Sequence, residues 1–498
     1  MANAVRTAPD PSAEAAETTP HPRRPTLDDV WAFLPVAIPM LVSLASRMVA
    51  VDLAYHVRVG EGILAGGGIP RVNTLSFVNE GAAWLDQQWL AQVFIAIAHR
   101  GGFATVALLR ACLIGGSFGL IYLSCRAKGA SPRASSLLSL SGFIVCLQAL
   151  AMRPQLLAFF LFSASLWILS TRHTHPRRCW ALVGIAVVWA NVHGSFFLLP
   201  LLCALAAGED LIGGHPGWRR MARFAVGCAV ATLVNPFGAG VWSYVVELST
   251  NPVIRQTITE WAPMSVSTFA GTAFFLTAAL IAGWLARREG VVPWPALLWL
   301  GTFFVLALPA RRGVLWWSLV APVVVAGLLD LRRGTRTMHT GTRWMNLTVI
   351  ALLGATVLAF LPWSRGLRST DLLAEAPVGL TAAAREHLPH GANVLTPQAW
   401  GSWFEFDAPE QQVFLDARVE LQPQAAWDDY NAVRTARGDW GAILDRWSVD
   451  AVVVDARPSW EELEDALAGS SEWCLATSDV AGSLFIRDDA VDGRCIAS

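Results

Sequence analysis

The sequence predicts an α-helical multi-pass membrane domain of about eleven spans, followed by a small soluble α/β domain. Three observations carry that reading. Apolar residues make up 54% of the 498 positions and charged residues 15%, against roughly 45–50% and about 25% in soluble domains. Mean hydropathy is +0.45. Long apolar runs alternate with short arginine-rich turns, as in helices that cross a bilayer in succession. This composition excludes a disordered chain, a coiled coil and an ordinary cytosolic enzyme. A net charge of −1 with no polybasic tail offers nothing to a nucleic acid. Trp is abundant at 23 residues, enough for interfacial belts and for stacking on sugars.

Residues 1–28 are rich in Ala, Pro, Glu and Thr without hydrophobic period and read as a disordered cytoplasmic tail. The first apolar run begins near Trp31 and lacks a small-residue cleavage site, so it reads as a retained span rather than a signal peptide. The membrane domain covers 29–362. Its expected spans are 31–51, 103–124, 134–151, 155–171, 179–192, 194–208, 221–235, 266–286, 291–309, 313–330 and 345–362. Residues 179–208 are too long for one span and short for two, and the polar break Asn191-Val192-His193-Gly194 divides them. Basic clusters support the division. With a cytoplasmic N-terminus, Arg126/Lys128/Arg133, Arg172/Arg177/Arg178, Arg219/Arg220/Arg223, Arg287/Arg288 and Arg332/Arg333/Arg336/Arg343 all fall inside. The odd count then places the C-terminal region outside.

Residues 363–498 form the polar domain. Strand-like runs are 392–396, 412–415, 451–454 and 483–486; helix-like stretches are 372–387, 425–437, 440–447 and 460–468. Ser459 reads as an N-cap of the last helix. Trp400, Trp403, Trp427, Trp440, Trp447, Trp460 and Trp473 read mainly as core. Six of eight cysteines lie in or beside apolar runs and read as small buried hydrophobes. Cys474 and Cys495 are expected to pair if this domain faces an oxidising compartment.

Polar residues converge on the outer face. Asp52 directly follows the first apolar run, where an acid is costly unless it meets water or a partner. His56 lies four residues on, so a continuing helix puts both side chains on one face. Such a pair serves as a base with its orienter or as two metal ligands; the bland alternative is an interfacial pair that ends the span. The long loop 52–102 closes with Asp86, Gln87, Gln88 and a short apolar helix, Trp89–His99, suited to the interface. Asp86 and Gln88 are candidate sugar ligands, with helix capping the alternative for Asp86. Arg153, beside Gln155, and the pair Arg311 and Arg312 lie at outer turns. An arginine fork matches phosphate oxygens, and snorkelling to ordinary headgroups is the alternative. His193 and Glu260 complete the candidates. Asp416-Ala-Arg418-Val-Glu420 reads equally as a salt-bridged strand end or a ligand site. No Walker motif, GxSxG, HExxH, CxxC or Rossmann glycine pattern occurs, so ATP-driven transport and serine hydrolysis have no local support.

The pattern Asp52-Leu-Ala-Tyr-His56, Gly60, Gly68-Ile-Pro70, Ser76-Phe77 and Trp89-Leu90 resembles bacterial multi-pass proteins related to the GT-C glycosyltransferases. So do Arg153-Pro-Gln155, Trp189 to Gly194, Asn235-Pro236-Phe-Gly238 and the stretch Gly401 to Glu420. The resemblance implies a GT-C-like enzyme of the bacterial inner or plasma membrane. Its donor would be a sugar linked to a polyprenyl phosphate, drawn from the membrane lipid. Its acceptor would be a glycan, lipid or protein on the outer face. Asp52 would be the catalytic acid group, assisted by His56. Many GT-C enzymes carry two neighbouring acids after the first span; here Asp52 has no acidic neighbour before Glu61, which leaves a divalent metal an open question. Two other functions fit parts of the sequence. A transporter or flippase of lipid-linked glycan needs polar residues through the bilayer, and Arg110 is one. A non-catalytic envelope scaffold would tolerate changes at Asp52 and Arg153.

Overall fold

A computed structural model describes residues 25–329 and 343–488. The tail 1–24, Arg332, Arg333, Arg336 and Cys495 lie outside the described residues, and with Cys495 the expected pairing to Cys474. The chain runs through α1 (Leu27–Ala45), β1 (Met48–Val49), α2 (Ala50–Gly62), α3 (Trp89–His99), α4 (Gly102–Ala127), α5 (Pro132–Cys146), α6 (Pro154–Ser170), α7 (Ala181–Ala190) and α8 (Leu198–Ile212). It continues through α9 (Trp218–Ala231), α10 (Gly240–Thr250), α11 (Pro252–Thr257), α12 (Phe269–Ala286), α13 (Trp294–Ala307), α14 (Val314–Leu328) and α15 (Arg343–Ala359). Each expected span overlaps a helix, though the bounds differ. Five helical segments, Leu27–Ala45, Gly102–Ala127, Gly194–Ile212, Phe269–Ala286 and Arg311–Leu328, are long and apolar enough to cross a membrane.

Helix packing follows the small residues. A Cβ on Gly115 of α4 would meet Met40 Cγ at 2.3 Å and the Val36 carbonyl oxygen at 2.9 Å, so only glycine lets α4 lie this close to α1. Arg110 on α4 reaches the C-terminal end of α1. It donates to the hydroxyls of Ser43 and Ser46 at 3.0 and 2.9 Å and to the carbonyls of Ser46 and Arg47 at 2.7 and 3.2 Å. A cation satisfying the last carbonyls of a helix also complements its dipole. The residue that suggested a transport path is thus a helix cap.

The expected first span runs on to residue 51, but α1 stops at Ala45 and α2 begins a new direction at Ala50. Between them β1 pairs in parallel with β2 (Leu373–Ala374), at the start of the polar domain. Leu53, Ala54 and Val57 anchor α2 in the main core, so Asp52 and His56 are carried by a rigid element. Gly60 allows contact with α3: an added Cβ would sit 2.2 Å from the Gln92 carbonyl oxygen. α3 buries Ala91, Ile95 and Ala96 and leaves Phe94 and Ile97 outside.

The polar domain contains α16 (Val378–His387), β3 (Asn393–Leu395), α17 (Gln398–Asp407), β4 (Gln412–Val413), α18 (Gln424–Arg434), α19 (Trp440–Arg446), β5 (Ala451–Asp455), α20 (Glu461–Ala468), β6 (Trp473–Ser478) and β7 (Gly482–Arg487). The sheet order is β4-β3-β5-β7-β6. β4, β3 and β5 are parallel, and β7 and β6 run antiparallel. Three elements of this domain were not expected from the sequence, β2, α17 and β6; β2 takes the start of the expected helix 372–387, of which α16 forms only Val378–His387. Ser459 lies in a short 3-10 turn, Pro458–Trp460, and is not the cap; α20 starts after Trp460 with no side-chain cap. Trp400, Trp403, Trp427, Trp460 and Trp473 are buried.

The long loop between α2 and α3 is pinned to this domain. Ser76 bridges Val413 at the sheet edge, and the Phe77 N–H donates to the Val413 carbonyl at 3.1 Å. Gln422 donates to the Ser76 hydroxyl at 2.7 Å, and Asn73 does so at 2.8 Å.

Candidate functional site

Each of these polar groups is placed for a local reason. Asp52 and His56 share a face of α2. Arg153 is the residue before α6, whose first position is Pro154; proline suits that position because its missing N–H has no helical partner. His193 ends the break between α7 and the 3-10 turn Gly194–Phe197. Its Nδ1 accepts the Ser195 backbone N–H at 3.1 Å, so Nε2 is left for the cavity. Asn191 holds the break in place: its Oδ1 accepts Trp89 Nε1 at 2.9 Å and its amide donates to the carbonyls of Val187 and Val234. Glu260 lies in the 3-10 turn after α11, and Arg311 and Arg312 in the one before α14.

These groups meet around one cavity of about 600 Å³ between the membrane and polar domains, lined by Asp52, His56, Gln88, Arg153, Gln155, His193, Glu260 and Arg312 among others. A smaller cavity of about 280 Å³ adjoins it across Arg153, Gln155, Glu260 and Arg312, and adds Arg311. Its remaining wall is largely apolar, with Leu150, Leu156, Phe159, Val314 and Leu315. Asp86 is the one candidate that borders neither. It is buried, with Oδ1 accepting Gln92 Nε2 at 3.0 Å, and burial pushes its carboxyl up to about 7, opposed by that hydrogen bond.

Charge within the site is paired around Arg153. Its Nε lies 2.6 Å from Asp52 Oδ2 and its Nη1 lies 2.6 Å from Glu260 Oε1. Arg312 reaches Glu260 Oε2 at 3.9 Å and lies over the Trp261 ring, 4.0 Å from its centre. Burial raises the Asp52 carboxyl above the usual range, and Arg153 opposes that shift. His56 is held well below its ordinary value, by burial and then by the Arg153 charge. His193 is lowered to about 3 by burial and by Arg312. Both imidazoles are therefore neutral at neutral pH. His56 Nδ1 is buried without a hydrogen-bond partner, as are the Nε atoms of Arg311 and Arg312 and the Nε2 of Gln155. Orphaned donors of this kind at a cavity wall suit an anionic, oxygen-rich ligand.

Sequence reasoning missed the wall supplied by the polar domain. Gln398, Ala417, Val419 and Glu420 line the larger cavity, with Tyr55, Tyr244 and Trp261. Tyr244 donates to Glu420 Oε1 at 3.2 Å. The Asp416–Glu420 segment is salt-bridged at one end and borders the cavity at the other. Arg418 forms a buried ion pair with Asp416, its Nη2 lies 3.5 Å from Glu405 Oε1, and its guanidinium lies over Trp84 at 4.6 Å. Glu420, two residues on, faces the cavity. The alternation of charges along 416–420 was the available signal; nothing in it said which side met the membrane domain.

Among the described residues one group has metal-binding geometry, His173, Asp210 and His215. It lies beyond the C-terminal end of α6, away from Arg153. Arg172 already pairs with Asp210 at 2.6 Å, and the Gly217 N–H occupies His215 Nδ1 at 3.0 Å. That cluster is a neutralised network, and no role in the site is assigned to it.

No family model and no curated protein sequence matches the chain. Solved structures do. The archaeal oligosaccharyltransferase AglB from Archaeoglobus fulgidus, in complex with an inhibitory peptide and a dolichol-phosphate, aligns with a TM-score of 0.54 at 12% identity, over 86% of this chain and 70% of that one. ArnT from Cupriavidus metallidurans, bound to undecaprenyl phosphate, aligns with a TM-score of 0.54 at 14% identity, over 92% of this chain and 97% of that one. Both belong to the GT-C superfamily. The chain therefore shares the fold of these two proteins.

Proposed function

We propose that the protein is a membrane glycosyltransferase moving a sugar from a polyprenyl-phosphate-linked donor to an acceptor on the outer face of the membrane. The observation that carries this reading is a carboxylate, Asp52, beside an arginine wall in one cavity of a GT-C-like fold. Asp52 takes the proton of the acceptor hydroxyl as its oxygen bonds to the anomeric carbon. The bond from that carbon to the phosphate oxygen breaks on the opposite side, and the configuration inverts. Polyprenyl phosphate leaves with its charge met by Arg153, Arg311 and Arg312, held in a partly dry site where such contacts are strong. The apolar wall of the smaller cavity receives the first isoprene units. His56, neutral and buried beside Asp52, orients the acceptor, and Gln88, Gln155 and His193 are hydroxyl ligands. The membrane supplies the donor laterally, so no nucleotide loop is needed. The topology that belongs to this reading has eleven crossings, a cytoplasmic N-terminus and an extracytoplasmic polar domain in a bacterial inner or plasma membrane.

The test is transfer by purified protein offered a panel of polyprenyl-phosphate sugars and an envelope-lipid extract, comparing wild type with Asp52→Asn. Product from wild type and a loss of at least about a hundredfold in a folded variant are expected, the scale of general-base contributions. Equal turnover by both removes Asp52 from catalysis. Repeating the assay with a chelator settles the metal requirement.

A further inference from the structure

Arg153 touches two carboxylates that belong to different tasks. Asp52 is placed as the base, and Glu260 sits in the turn beside the arginine pair. The guanidinium spends Nε on Asp52 and Nη1 on Glu260, both at 2.6 Å, and its side chain is still 26% exposed. It also borders both cavities. Next to it, the buried Nε atoms of Arg311 and Arg312 have no partner. The anion-binding capacity of this wall is thus partly unfilled, and its most central member is occupied by the chain's own carboxylates.

We infer that Arg153 is a shared ligand: without donor it holds Asp52 in an ion pair, and the donor phosphate displaces Asp52 from it, so that the donor itself releases the base. This rests on the proposed transferase reading. The physical reasons are two. A carboxylate bonded to a guanidinium has one oxygen engaged and its proton affinity lowered. A phosphate entering beside Arg311 and Arg312 repels Asp52 and offers Arg153 a better bidentate partner. Glu260 keeps Arg153 in place during the exchange. The consequence is an ordered reaction, donor before acceptor, with a weak base until the donor is seated. The free protein also binds phosphate more weakly than its arginines allow, because the pair must first open.

The experiment is undecaprenyl phosphate binding to the full chain in detergent. Removing the competing carboxylate in Asp52→Asn is expected to tighten binding about fivefold to tenfold, the scale of a partly exposed ion pair. Asp52→Ser serves if that variant is not monodisperse. Arg153→Gln is expected to weaken binding. Glu420→Gln removes a carboxyl from the same cavity without breaking a contact of Arg153, and is expected to change affinity less than about twofold, as screening of a charge not paired with the arginines allows. Wild-type binding with Asp52→Asn unchanged or weaker overturns the exchange. Equal tightening by Glu420→Gln overturns it too, because general charge repulsion then explains the effect. Absence of binding by wild type removes the donor reading itself, and the inference with it.

Discussion

His193 shows how a single side chain turns burial into pH dependence. Its folded value, about 3, lies below the 6.5 of an ordinary histidine. As pH falls below about 6.5, the unfolded chain takes a proton that the folded chain refuses, so stability falls across that window. His193→Gln is expected to flatten the decline of Tm between about pH 6.5 and 5, by at most about 2 kcal/mol; an unchanged slope would show that His193 is not buried neutral. Asp52 acts in the other direction. Its raised carboxyl places the acid limb of activity above the ordinary aspartate value of about 3.9, and that limb should not follow either histidine. A buried ion pair gives a third prediction. Asp416→Ala leaves the Arg418 guanidinium, 1% exposed, without its main partner. A stability loss of about 3 kcal/mol is expected by denaturation, and a loss under 1 kcal/mol would mean that Glu405 takes over. At this scale the sequence spoke clearly where a polar group stood alone in an apolar setting, as at Asp52, Arg153 and Arg312. It was silent for Tyr244 and Gln398, which lie in short helices, in α10 and at the start of α17, where nothing in the sequence sets them apart. It misplaced Asp86, because a buried carboxyl and a ligand look alike until the neighbouring Gln92 is seen.

At the scale of elements, one close approach seats the helix that carries Asp52. Gly60 seats α2 on α3, and a methyl there would meet backbone, which cannot swing aside. Gly60→Ala is expected to lower stability by about 1–3 kcal/mol, the usual cost of overpacking, and to reduce transfer by moving Asp52. A Gly60→Ala protein with wild-type Tm would show that the two helices part at no cost. The apolar helices were legible because bilayer-facing runs need no periodicity, only length. α17 was not. Trp400, Gly401, Ser402, Trp403, Phe404 and Glu405 are all buried, because the helix lies between the sheet and α2. A helix covered on every side shows no amphipathic stripe. Arg58 donates to the Glu405 carbonyl from the membrane side, a contact between residues 347 positions apart that no local pattern announces. The motifs Asn73–Phe77 and Asn235–Gly238 are turn scaffolds. Asn235 Oδ1 accepts the Phe237 N–H at 2.8 Å, and Gly238 adopts φ +56°.

For the whole molecule, the cavity lies where the polar domain closes over one end of the helices. The polar domain is then a wall of the site rather than an appended module: Glu420 faces the cavity and Arg418 packs on Trp84 of the outer loop. α12 contributes few buried residues, leaving an apolar flank beside the smaller cavity through which a lipid tail can lie. A C-terminal reporter is expected to be active only outside the cytoplasm, and cytoplasmic activity would overturn the odd number of crossings. The most direct measurement is a structure of the full chain with undecaprenyl phosphate. The phosphate is expected within hydrogen-bonding reach of Arg153 and at least one of Arg311 and Arg312, with Asp52 turned toward the larger cavity. A phosphate seated instead in the cavity at the opposite end, beside Lys128 and Arg172, would contradict it.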